Sequence, residues 1–68
     1  MSPKRKMSAA VRRLRERQNL TQAELARKVK VTQGYISQLE AGTKKELGAT
    51  VALRLATALG VPVTELLG

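Results

Sequence analysis

The amino-acid sequence predicts an all-α protein, a compact bundle of five helices. Three observations support this prediction. Good helix formers dominate the composition. Apolar residues recur at helical spacings of three and four residues, and no stretch alternates apolar and polar residues as a half-buried strand would. The segments between the predicted helices are only two to eight residues long, so the helices must pack as near neighbours.

Length and composition limit how such a fold can be stabilised. The chain has 68 residues, which indicates one domain near the lower size limit for independent folding. It contains neither Cys nor His, which excludes disulfides and the usual zinc sites, and Tyr35 is its single aromatic residue. We therefore expect an aliphatic core, no metal and no cofactor, with dimerisation as an additional source of stability.

The charge of the chain is strongly positive and unevenly distributed. Of the net charge of +8, residues 1–17 carry a surplus of six positive charges. Such a balance indicates a polyanionic partner, although solubility alone is the simpler alternative. No apolar run is long enough for a signal peptide or a membrane span, so we expect the protein in the cytoplasm, and on the nucleoid when it is bound to DNA.

The first segment of the chain shows no helical periodicity. Residues 1–7 contain Pro3 and a basic triplet, and we expect them to form a flexible basic arm outside a folded domain of residues 8–68. The arm either has no task or follows the DNA backbone, as basic arms can.

The first helix is predicted to start at Ser8, which can cap it, and to extend to about Gln18. Val11 and Leu14 lie on its buried side, and arginines cover much of the rest. Asn19 suits the left-handed position after the helix. An arginine-rich helix can also bind a membrane surface, but this apolar face is narrow and has no aromatic anchor.

Residues 22–41 contain the strongest pattern of the chain, two short helices joined by a tight turn. Thr21 and Glu24 form a capping box, so the first of these helices should begin at Gln22. Its apolar stripe consists of Leu25, Ala26 and Val29. Small Ala26 lets the second helix approach closely.

The second helix of the pattern begins after Thr32, a good N-cap residue, and ends at Gly42, which suits a positive φ. Ile36 and Leu39 form its buried side. Only residues 30 and 31 separate the two helices, which requires a sharp corner. The pattern predicts a helix-turn-helix.

The remainder of the chain contains a loop and two further helices. Residues 43–48 read as the loop, and Thr50 can cap a helix that extends to about Leu59. The apolar stripe of that helix consists of Ala52, Leu55, Ala56 and Leu59. After Gly60, Pro62 fits the first turn of a short final helix at positions 63–67.

These motifs resemble the phage repressor and Cro-type (XRE) helix-turn-helix family. The segments that carry the resemblance are LRERQNLTQAELA, ISQLEAG and LATALGVPVTELL, and the resemblance as a whole covers roughly Ser8 to Leu67. The chain departs from the family pattern at Lys30, where glycine is usual, and in the loop TKKELGA, which lacks a frequent proline. The resemblance implies a lambda-repressor-like DNA-binding domain that regulates transcription, most often as a repressor, and binds a (pseudo)palindromic operator as a homodimer.

The second motif helix has a face suited to reading base edges in the major groove, where an α-helix fits. Because Ile36 and Leu39 define its buried side, the opposite side presents uncharged hydrogen-bonding groups. The base-contact candidates on that side are Gln33, Gly34, Ser37 and Gln38. The amide of Gln can donate and accept at once and can pair bidentately with adenine. Gly34 lets the backbone approach the DNA.

The resemblance implies that Gln22 contacts a phosphate and that Gln33 and Gln38 read bases. A helix N-terminus also attracts anions, which favours the same role for Gln22. The candidates for phosphate contact are Gln22, Thr32, Tyr35, Lys44, Lys45 and Arg13.

A dimer would place two recognition helices about 34 Å apart in successive major grooves. A single module buries too little surface for high specificity, which also favours dimerisation. The candidates for the dimer interface are Leu53, Leu66 and Leu67.

Two alternatives from other classes stay open. The first is an antitoxin-like module that binds a protein partner and touches DNA secondarily, and a large exposed apolar patch would favour it. The second is sequence-blind nucleic-acid binding, in which neutralising Arg12 and Arg13 would abolish affinity. We do not expect an enzyme, because His and Cys are absent and the five carboxylates show no paired arrangement.

Overall fold

A computed structural model describes residues 3–43 and 47–67 of the chain, and for residues 3–6 and 67 it describes the backbone alone. The described residues contain no strand. The helices are α1 (Pro3–Arg17), α2 (Gln22–Val29), α3 (Gln33–Ala41), α4 (Ala49–Leu59) and α5 (Val63–Leu67). The predicted all-α fold with five helices is confirmed.

Each helix packs against at least two others around one aliphatic core. α3 lies against α1 and α2, while α4 packs on α2 and on α5, and α5 returns to α1. The largest fully buried side chains come from all five helices and are Val11, Leu25, Val29, Ile36, Leu39, Leu55 and Leu66. Burying each of these stabilises the fold by about 1.5–3 kcal/mol before entropy is counted. α1 and α2 thus form the support on which α3 rests.

The first helix begins at Pro3, five residues earlier than predicted. The expectation that residues 1–7 form an arm outside the domain is therefore wrong for residues 3–7. Met7 is only 9% exposed, and Ser8 is buried inside the helix and is not its N-cap. The buried residues Met7, Ala10, Val11 and Leu14 follow helical spacing, which extends the apolar stripe one turn toward the N-terminus. Residues 1 and 2 lie outside the described part.

Both N-caps of the helix-turn-helix are confirmed. The Thr21 hydroxyl accepts from the Glu24 backbone N–H at 3.1 Å, and the Glu24 carboxylate accepts from the Thr21 N–H at 2.9 Å. The Thr32 hydroxyl accepts from the Tyr35 N–H at 3.1 Å and starts α3. These bonds satisfy backbone donors that a helix start leaves without a partner.

The corners of the fold use the left-handed backbone conformation where the sequence predicts it. Asn19 after α1 has φ 57°, and Gly42 after α3 has φ 78°. Lys30, in the turn between α2 and α3, has φ 62°, as its position in place of a glycine implied. For a non-glycine residue this conformation costs roughly 1 kcal/mol.

Helix α4 begins at Ala49, so Thr50 lies inside the helix and the prediction that it caps α4 is wrong. Gly48 takes the N-cap position with an extended backbone, and its carbonyl accepts from the Ala52 N–H at 2.9 Å. The predicted apolar stripe of α4 is buried as expected. α5 has the predicted bounds, and Pro62 precedes it, accepting from the Glu65 N–H at 3.0 Å.

The structure separates the three leucines that were candidates for a dimer interface. Leu66 is fully buried between the helices, so its candidacy is wrong. Its side chain faces inward because α5 closes the core against α1 and α4. Leu53 is 59% exposed, and the side chain of Leu67 lies outside the described part. Within the described helices, none is both long and apolar enough to cross a bilayer.

Candidate nucleic-acid interface

Helix α3 presents a face of uncharged hydrogen-bonding groups to solvent. Ile36 and Leu39 are fully buried, and the four residues of the opposite side, Gln33, Gly34, Ser37 and Gln38, are all exposed. Tyr35 lies at the edge of this face, half-buried against the core. The division into two sides is therefore the one that the sequence predicted, and amide groups dominate the exposed side.

An ion pair at the other end of α3 joins the helix to α1. The Arg15 Nε lies 2.6 Å from Glu40 Oε2, and its Nη2 donates to Oε1 at 3.0 Å. The two side chains are only 12% and 5% exposed. A third donor of Arg15, Nη1, reaches the Leu20 carbonyl at 2.7 Å. A planar guanidinium that donates to both carboxylate oxygens holds one geometry, which orients α3 relative to α1.

The electrostatics of this pair favour the charged form of the arginine. The pKa of Arg15 is raised above its usual value, chiefly because the side chain donates a hydrogen bond to Glu40, while burial acts in the opposite direction. Sequence reasoning missed the pair, because Arg15 looked like one of several surface arginines. The available signal was that Glu40 is the only acidic residue within α3.

Gln22, the phosphate candidate at the start of α2, belongs to the same network. Its Nε2 donates to Glu40 Oε1 at 3.1 Å, and the residue is half-buried. One amide hydrogen of Gln22 is therefore committed within the protein, and the other remains available to a ligand. The network of Arg15, Glu40 and Gln22 joins α1, α3 and α2.

A polar cleft of about 310 Å³ opens over this network, at the seam of the three helices. Its lining residues are Arg12, Arg15, Gln22, Ser37, Glu40 and Ala41. Ser37 thus borders the cleft as well as the exposed face of α3. Among the described residues, no cluster of His, Cys, Asp or Glu could hold a metal ion.

The fold agrees with what known proteins show. A family model described as helix-turn-helix matches residues 11–66. The chain belongs to the helix-turn-helix family. This confirms the resemblance to Cro-type regulators that the motifs indicated, because the matched residues extend from α1 to α5 and include both motif helices. No curated protein sequence matches the chain.

Several solved structures share this helix-turn-helix fold over nearly the whole chain. One is the clp gene regulator ClgR from Corynebacterium glutamicum, with TM-score 0.89 and 33% identity, covering 98% of this chain and 70% of the other. A second crystal structure of ClgR has TM-score 0.85 and 33% identity, with coverage of 98% and 86%. The restriction-modification controller protein C.AhdI from Aeromonas hydrophila has TM-score 0.85 and 30% identity, with coverage of 93% and 94%.

With its family and these regulators as neighbours, the chain is a DNA-binding transcriptional regulator of the helix-turn-helix type.

The other residues predicted to contact phosphate lie in different parts of the chain. Thr32 is exposed at its start, and Arg13 is exposed on α1 but does not line the polar cleft. Lys44 and Lys45 lie outside the described residues.

Proposed function

We propose that this chain is a sequence-specific repressor that places α3 in the major groove of a (pseudo)palindromic operator and acts as a homodimer. The observation that carries the proposal is the exposed amide and hydroxyl face of α3, set opposite a fully buried side. A charged face would bind any phosphate, whereas neutral donor and acceptor groups discriminate among base edges.

Gln33 and Gln38 are the proposed base-reading residues. Each amide can pair with N6 and N7 of adenine or donate to O6 of guanine, and a good pair discriminates by about 1–3 kcal/mol. Both side chains are exposed. They are separated by about 1.4 helical turns on α3, so both can face one groove.

Phosphate contacts are proposed at the starts of the two motif helices, from Gln22, Thr32 and Tyr35. Helix N-termini carry free backbone N–H groups and a positive dipole, which favour an anion. Lys44 and Lys45 follow α3 in the chain and extend the proposed set. These contacts position the protein, and the base contacts specify the sequence.

A homodimer is proposed because one module of this size contacts only a half-site. Of the leucine candidates, Leu53 has the exposed side chain that a partner could cover. It lies in a cleft with Thr57 and Ala58, and Lys28 and Arg54 stand beside it. A second copy that covers Leu53 through a two-fold contact would bury both leucines at the centre of the interface.

Binding alone is sufficient for repression, since an occupied operator excludes polymerase from an overlapping promoter. The proposal therefore includes no catalytic step, and it places the protein in the cytoplasm, on the DNA. The antitoxin-like alternative, in which a protein partner is the main ligand, draws on the same exposed Leu53. It becomes the better proposal if Leu53 remains uncovered in the DNA-bound dimer.

The decisive experiment is selection from a random duplex library at about 150 mM salt, close to physiological ionic strength. We expect inverted half-sites whose centres lie about one helical turn apart. Gln33→Ala and Gln38→Ala should each cost about 1–3 kcal/mol on the recovered site and almost nothing on unrelated DNA. Recovery of unenriched DNA would contradict the proposal and favour binding driven by charge.

A further inference from the structure

One side of α1 faces α3, and Arg12 lies on it. Ser8, Arg12 and Arg15 are four and three residues apart, which places them on the same side of a helix. Ser8 is buried, with its Oγ 3.6 Å from the position that a Cβ on Gly42 would occupy. Arg15 pairs with α3. Arg13 follows Arg12 in the sequence, so its side chain is rotated from that of Arg12 by about 100° around the helix axis, away from α3.

Two arginines line the polar cleft, and Arg12 is the one that has no strong partner among the described residues. Arg15 lines the same cleft but donates to Glu40 and to a backbone carbonyl. Arg12 has one contact with Glu16, at 3.6 Å between side chains that are 65% and 57% exposed. Exposed pairs of this kind contribute little, so Arg12 can turn to another anion at small cost.

The other groups of the cleft suit a phosphate. Gln22 keeps one amide N–H beyond the bond to Glu40, and Ser37 brings a hydroxyl from the edge of the exposed α3 face. The carboxylate of Glu40 also borders the cleft, but its charge is balanced by Arg15 at 2.6 Å. The cleft therefore carries one net positive charge, that of Arg12, together with two neutral donors.

We propose that this cleft binds a phosphate of the DNA backbone through Arg12, Gln22 and Ser37, and that Arg12 takes the role on α1 that the sequence suggested for Arg13. The proposal rests on the proposed function, because it requires α3 to lie in the major groove with the flanking strand beside the α1–α3 seam. It also gives Ser37 a backbone contact in place of a base contact.

The test compares Arg12→Gln with Arg13→Gln, two identical charge changes on adjacent residues of one helix. Affinity is measured on a duplex of unrelated sequence and on the selected site over a range of salt concentrations. For Arg12→Gln we expect the slope of log Kobs against log salt to become shallower by about 0.9, with binding about fivefold weaker at about 150 mM salt. Arg13→Gln should keep the slope of the unaltered protein.

Arg12→Lys serves as the rescue variant, because it keeps the charge and should restore the slope. Thermal unfolding of all three variants should match that of the unaltered protein, since Arg12 and Arg13 are exposed. Equal changes of slope for the two Gln variants would overturn the proposal, because the effect would then come from net charge alone.

Ser37→Ala distinguishes a backbone contact from a base contact. If Ser37 binds a phosphate, the Ser37→Ala variant should lose affinity for the selected duplex and for the unrelated duplex by the same factor. A loss confined to the selected site would return Ser37 to the base contacts and overturn that part of the proposal. Because the comparison of Arg12 with Arg13 uses unrelated DNA, it can succeed even if no specific operator exists.

A free anion is the other source of the same ligand chemistry. Titration with inorganic phosphate, followed by the NMR signals of the Arg12 Nε–H and the Gln22 amide, should show no saturable binding in the low millimolar range. Saturation there, with an unchanged salt slope for Arg12→Gln, would assign the cleft to a free anion and overturn its assignment to DNA.

Discussion

Arg15 of α1 and Glu40 of α3 stand 25 residues apart in sequence and form a bidentate, hydrogen-bonded ion pair that is largely buried at the edge of the polar cleft. Gln22 of α2 joins the same carboxylate. Buried ion pairs contribute little net stability, because desolvation offsets the attraction, but breaking one is expensive. We interpret this network as the device that sets the orientation of α3, since the three helices of the interface meet in it.

Removing one partner of this pair should destabilise the fold. Glu40→Gln leaves the guanidinium of Arg15 without its counter-charge, and because the pair borders an open cleft we expect the free energy of unfolding to fall by about 1–3 kcal/mol in urea titrations. Replacing both residues by apolar ones of similar volume should cost far less stability, while affinity for the selected site still falls. If that double variant keeps full specific affinity, the pair does not orient α3. Arg17→Gln, on the exposed surface, is the control.

The capping box at the start of α2 should make stability depend on pH in the acidic range. The pKa of Glu24 lies below its ordinary value of 4.5, first because its carboxylate accepts from the Thr21 backbone N–H and then because of the Thr21 hydroxyl. A carboxyl whose pKa is lower in the folded state stabilises fully above the unfolded value. That stabilisation is lost as the pH falls through the folded value.

Urea unfolding at neutral pH and at about pH 3 tests this dependence. Glu24→Gln should lower the midpoint at neutral pH and differ little from the unaltered protein in acid. Thr21→Ala should cost about 1 kcal/mol at neutral pH, because the Glu24 N–H loses its acceptor. A constant difference between Glu24→Gln and the unaltered protein across the range would contradict the assignment.

Replacement of Lys30 by glycine is expected to stabilise the protein. Because its φ is 62°, replacement by glycine removes a conformational cost of roughly 1 kcal/mol, and Lys30→Gly should raise the thermal midpoint. Lys28→Gly is the matched control, since Lys28 is also exposed but helical, and glycine there should lower stability by up to about 1 kcal/mol. Equal losses in both variants would show that the turn does not take this conformation in solution.

Gly34 should separate protein stability from DNA binding. The Cβ of an alanine there would meet no atom closer than the Thr32 Oγ1 at 3.9 Å, so Gly34→Ala fits the free protein. Stability should rise by roughly 0.5–1 kcal/mol, as for glycine to alanine within helices. If the α3 backbone lies against the groove, the added methyl should weaken DNA binding by about 1–3 kcal/mol, as overpacking does. Unchanged affinity would place Gly34 away from the DNA.

Leu53 should control association. Leu53→Lys is expected to shift sedimentation of the protein toward the monomer and to weaken dimerisation by about 2 kcal/mol or more, the usual cost of losing a central anchor. Leu53→Met should leave the dimer intact. Because Lys28 and Arg54 flank the leucine, added salt should strengthen the dimer while it weakens DNA binding. A Leu53→Lys variant that dimerises like the unaltered protein would exclude this interface.

The helix-turn-helix and the two sides of α3 could be predicted from the amino-acid sequence alone. The capping box of Thr21 and Glu24, the cap at Thr32 and the left-handed Gly42 depend on groups within a few residues of one another, so their patterns predict the local structure directly. The local prediction failed at Thr50, because Gly48, two residues earlier, takes the cap position of α4.

The contacts between side chains of different helices could not be predicted from the sequence and became visible in the packed fold. Arg15 reads as one arginine among several until α1 is placed against Glu40, and Leu66 reads as a surface candidate until α5 closes on the core. The packing of the helices also distinguishes Arg12, which lines the polar cleft, from Arg13, which does not. Hydrogen bonds within a helical turn are encoded by spacing of three or four residues, whereas these contacts depend on the relative rotation of packed helices, which no local spacing specifies.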